Sequence, residues 1–91
     1  MSIRFFQCEN IGVSGTTPVA VQMRDDGLFE ARVGIALLGY TNMTKEALEL
    51  CNNPFDPNFH DNYAVGIGRT EGQAIEKLKQ DMKETADSLW A

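Results

Sequence analysis

Val19-Ala20-Val21-Gln22-Met23-Arg24, then Asp25-Asp26-Gly27, then Leu28-Phe29-Glu30-Ala31-Arg32-Val33-Gly34-Ile35-Ala36-Leu37 form two alternating runs around a break. In the first run Val19, Val21 and Met23 point one way, and Ala20, Gln22 and Arg24 the other. In the second, Phe29, Ala31, Val33, Ile35 and Leu37 share one face, while Leu28, Glu30, Arg32 and Gly34 share the opposite one. Successive side chains of a strand alternate between faces, so this period marks half-buried strands. The Asp-Gly step between the runs supplies the positive φ that a tight turn demands. The spacing predicts a β-hairpin.

Upstream, Ile3-Arg4-Phe5-Phe6-Gln7-Cys8 is short, aromatic and β-prone, and a turn-rich stretch from Glu9 to Thr16 separates it from the hairpin. Downstream, Thr44 can cap a short helix running through Cys51, with Ala47, Leu48 and Cys51 on one side. Residues 52–62 then hold two prolines, four asparagines and two aspartates, a composition that forces turns. Phe55 and Phe59 lie inside that loop, where aromatics either pack inward or bind a partner.

Tyr63-Ala64-Val65-Gly66-Ile67-Gly68 alternates again and predicts a further strand, leading directly into a helix over 70–90. Thr70 and Gln73 are spaced for a capping box, in which each side chain satisfies an orphan amide at the helix start. Ala74, Ile75, Leu78, Met82, Ala86 and Leu89 recur at intervals of three and four, which makes one apolar stripe of an amphipathic helix. Trp90 is placed to clamp the helix end to the sheet. The expected architecture is a single α+β domain over 1–91. Its two layers are a mainly antiparallel sheet of three or four strands and the C-terminal helix packed on one face, in the order β-β-β, short helix and loop, β, α.

Composition bounds the function. The 91 residues are 43% hydrophobic and 23% charged, in the range of folded globular domains and unlike a disordered chain. No apolar run nears the ~20 residues that cross a bilayer, and the first residues lack the apolar core of a secretory signal, so a cytoplasmic location is expected. The net charge is −5, and it is uneven: residues 1–38 carry three basic and four acidic side chains, residues 39–91 five and nine. Affinity for nucleic acid draws on Lys and Arg neutralising phosphates, so this balance favours a basic or neutral partner at the acidic half. Cys8 and Cys51 stand 43 positions apart, neither a CxxC pair nor a disulfide framework, and are expected as separate reduced thiols.

Motifs with chemical potential each have a plainer explanation. Gly66-Ile67-Gly68-Arg69-Thr70-Glu71-Gly72 joins strand to helix, where phosphate loops occur, yet it is spaced G-x-G-x-x-x-G and puts Glu71 where an anion would bind. Asn42-Met43-Thr44 matches a glycosylation acceptor, but Thr44 is better used as a cap. His60 beside Asp56 and Asp61 could act as a general base, yet no nucleophile stands in a recognisable setting. Cys8, Cys51 and His60 lack metal-ligand spacing. Lys77, Lys79 and Lys83 are interleaved with Glu76, Asp81 and Glu84, the pattern of a salt-bridged solvent face.

The joint Gly68-x-Thr70-x-x-x-Ala74 after a strand and at the head of a helix resembles one found in double-stranded-RNA-binding domains and in HicB-type antitoxins, both β-β-β-α arrangements. The similarity spans roughly 17–38 and 63–90. The basic cluster with which the RNA-binding domains grip phosphate is absent here, where Glu71 and Glu76 stand, and residues 39–62 have no counterpart in the HicB pattern.

These readings converge on a non-enzymatic protein-interaction module or small regulator, self-associating or docking its acidic half on another protein, with no cofactor, metal or membrane. The expected interaction surface is Phe55, Phe59, His60, Tyr63 and Leu28. The alternative is a nucleic-acid-binding accessory protein using the loop 52–62 and the helix lysines.

Overall fold

The structure is a computed structural model that describes residues 3–9, 16–34, 53–59 and 62–90, with side chains from Thr17 in the second strand and up to Met82 in the helix. Four strands, β1 (Arg4–Glu9), β2 (Thr16–Met23), β3 (Phe29–Gly34) and β4 (Tyr63–Gly68), precede one helix, α1 (Glu71–Trp90). The strands lie in the order β1-β2-β3-β4, every neighbouring pair antiparallel. The α+β sheet-and-helix arrangement expected from the sequence is therefore present, with four strands. The short helix expected over 44–51, Ile35 and Leu37 of the hairpin, Cys51, His60 and the outer turns of the apolar stripe lie outside the described residues or side chains.

The hairpin turn is built as its residues dictate. Gly27 has φ 85°, a conformation that costs glycine nothing and other residues strain. Its N–H donates to the Arg24 carbonyl at 3.1 Å, and the Arg24 N–H donates to the Leu28 carbonyl at 2.7 Å. Asp26 Oδ1 accepts the Leu28 N–H at 3.0 Å, closing the loop with a side chain. Register follows from the turn: Met23 faces Phe29 and Val21 faces Ala31 across the pair.

That register puts Val19 and Val21 of β2, Ala31 and Val33 of β3 and Cys8 of β1 into one buried cluster with Ala74 and Leu78 of α1, and Phe6, Phe29, Ala64, Ile75 and Met82 pack around it. Val19, Val33 and Leu78 have no exposed surface, and burial of each such side chain stabilises the fold by roughly 1.5–3 kcal/mol. The helix lies chiefly along β4 and β3 and reaches β2. It can approach because β4 presents glycine beneath it. A Cβ at Gly66 would stand 2.3 Å from the Ala74 carbonyl oxygen and 2.3 Å from the Leu78 nitrogen, closer than atoms tolerate.

Thr70 and Gln73 cap the helix. Thr70 Oγ1 accepts the Gln73 N–H at 3.1 Å, and Gln73 Oε1 accepts the Arg69 N–H at 3.0 Å, one residue before the amide that a capping box normally satisfies. Glu71 in the first turn complements the helix dipole and also pairs with Arg4 of β1 at 3.0 Å. Arg4 is 64% exposed, so this pair contributes little, on the order of 0–1 kcal/mol.

Candidate functional site

The second face of the sheet is of another kind. Alternation turns Glu30 and Arg32 of β3 away from the helix, with Tyr63, Val65 and Ile67 of β4 alongside them through the pairs Arg32–Val65 and Glu30–Ile67. Residues 53–59 lie against this face. The loop is shaped by two successive turns closed by short polar side chains. Asn53 Oδ1 accepts the Phe55 N–H at 2.9 Å, and Asp56 Oδ1 accepts the Asn58 N–H at 2.8 Å. The backbone adds Asp56 N–H to the Asn53 carbonyl at 3.0 Å and Phe59 N–H to the Asp56 carbonyl at 2.9 Å.

Arg32 joins loop to sheet. Its guanidinium carbon lies 4.5 Å from the Phe55 ring centre and 4.6 Å from that of Tyr63, so one cation is held between two aromatic rings. Its Nη1 donates to the Pro54 carbonyl at 3.1 Å, and its Nε donates to Glu30. The other Glu30 oxygen accepts Arg24 Nη1 at 3.1 Å, and Arg24 Nε in turn pairs with Asp26 at 3.3 Å. Two arginines and two carboxylates thus balance within one chain of contacts. The Phe59 ring tilts against Tyr63 with centres 6.1 Å apart, which extends the aromatic cluster along the strand. Beside it, an open groove of about 420 Å³ is lined in part by Gln22, Arg24, Glu30, Arg32 and Phe55.

Of the residues expected at an interaction surface, the structure brings Phe55, Phe59 and Tyr63 together. Tyr63 is 40% exposed, and Ile67, two positions along the same face, is 37% exposed. Leu28 stands apart from them, half-buried at the hairpin turn and engaged there through its backbone. His60 is outside the described residues. Asp56, the neighbour that a general-base reading of His60 would enlist, spends one carboxylate oxygen on its own turn.

Arg32 went unrecognised in the sequence, where alternation marks it only as a residue of the polar face. The available signal was weak: an arginine opposite an aromatic-rich loop, separated from Pro54 by 22 positions.

The remaining candidates resolve differently. At Gly68 a Cβ would meet Ala74 N at 2.7 Å, so helix atoms fill the space over Gly66 and Gly68 that a phosphate cradle would leave open. Cys8 is a free thiol on the helix face, 8% exposed, with Sγ 3.6 Å from the Phe6 carbonyl. Burial pushes its pKa above the ordinary thiol value, with Lys79 opposing the shift and Glu76 adding to it. Among the described residues no three His, Cys, Asp or Glu side chains gather in a way that could hold a metal ion, and no helix is long and apolar enough to cross a membrane.

Comparison with family models, with curated proteins and with solved structures finds no match to this chain.

Proposed function

We propose that the protein is a non-enzymatic interaction module whose contact surface is the sheet face opposite the helix. The observation that carries this reading is the aromatic surface of Phe55, Phe59 and Tyr63 around Arg32, continued by Ile67, with Tyr63 and Ile67 substantially exposed. Aromatic and arginine side chains are enriched where protein interfaces concentrate their binding energy, because they bury large areas with few rotatable bonds. Arg24, Glu30 and Arg32 at the centre of this face are paired with one another or with Asp26, which leaves the aromatic edges and apolar strand residues there as the groups able to gain by contact. The acidic balance of residues 39–91 supports a basic or neutral protein partner over a polyanion.

The test is a quantitative pull-down from cell extract, comparing the native chain with a Tyr63→Ser, Ile67→Ser double variant of unchanged circular dichroism. A protein recovered by the native chain and depleted at least tenfold by the variant supports the reading. No reproducible capture, or capture indifferent to both substitutions, overturns it. Light scattering distinguishes a second copy from a different partner. An electrophoretic shift that weakens as salt rises would instead establish nucleic acid as the ligand.

A further inference from the structure

We draw no further inference here: the strongest candidate, the outer edge of β4 with Tyr63, Val65 and Ile67 along one face, is an unpartnered apolar edge among the described residues, and nothing in the structure shows what covers it.

Discussion

The two faces of the sheet are held by opposite means. Toward the helix, cohesion comes from shape: Val19, Val21, Val33 and Leu78 fill the layer, and the absence of a side chain at Gly66 sets how near the helix can lie. Toward the loop, cohesion comes from one cation that meets two rings, a backbone carbonyl and a carboxylate. A close-packed layer tolerates little change in volume, and its loss propagates through the whole domain. A loop fastened by the Arg32 contacts and the Phe59–Tyr63 ring pair can lose its fastening while the layer beneath persists. The difference separates what folds this protein from what shapes its exposed surface.

The sharpest way to break the comparison is at Gly66. Gly66→Val forces helix and strand apart and is expected to cost more than about 3 kcal/mol, read as a lowered urea midpoint. A variant as stable as the native chain would mean that the helix is not seated on β4. Next in size is Arg32→Ala, which removes the stacked cation and its hydrogen bonds and should cost about 2 kcal/mol. Hydrogen exchange should accelerate at Phe55 and Phe59 while the amides of β2 and β3 stay protected. If the strands lose protection to the same degree, the two faces form one cooperative unit and the distinction fails.

Two smaller effects probe the helix face. The unfolded Cys8 thiol gives up its proton near 9.0, while the buried one holds it to higher pH. Its favourable contribution is therefore complete below about pH 9 and declines as pH rises from there through the raised folded value, by at most about 1.4 kcal/mol per pH unit. Denaturation of native and Cys8→Ala chains between pH 8 and 10 checks this, with the stability of the native chain falling more steeply. Parallel slopes would show that the thiol is solvated. Thr17, 1% exposed on the same face, has a buried Oγ1 with no hydrogen-bond partner among the described residues. Thr17→Val keeps the shape and removes the stranded hydroxyl, so stability should rise by up to about 1 kcal/mol. A lowered thermal midpoint would reveal a partner for that oxygen.

What the sequence disclosed and what it withheld divide along the same line. The hairpin, β4 and the start of α1 are written in local signals: alternation on either side of Asp25-Asp26-Gly27, and Thr70 three residues ahead of Gln73. Local signals act between residues a turn or less apart, so they survive in a linear reading. The glycines of β4 were visible, and their spacing spoke for a plain strand–helix joint over an anion cradle, but not for their effect, which is to admit the helix backbone. That effect depends on Ala74 and Leu78 arriving from the next element. Phe55, Phe59 and Tyr63 were legible as a group because a proline- and asparagine-rich loop has little reason to carry aromatics unless they touch something. Arg32 was not, since its role arises only when residues 53–59 fold back on β3.

The pairing of β1 with β2 and β2 with β3 joins neighbours in the chain, whereas β4 reaches β3 only after the connection 35–62. On the ribosome, the first three strands emerge together and can pair while the residues that complete the fold are still being translated. During that interval the edge of β3 later taken by β4 is bare, and Phe29, Ala31 and Val33 have no helix over them. A bare apolar edge invites pairing with another nascent chain, and charged side chains on an edge strand oppose it. Glu30 and Arg32 lie on that edge strand. In the finished molecule they are bound to each other; in a strand that still lacks its neighbour, the same two charges disfavour edge-to-edge pairing.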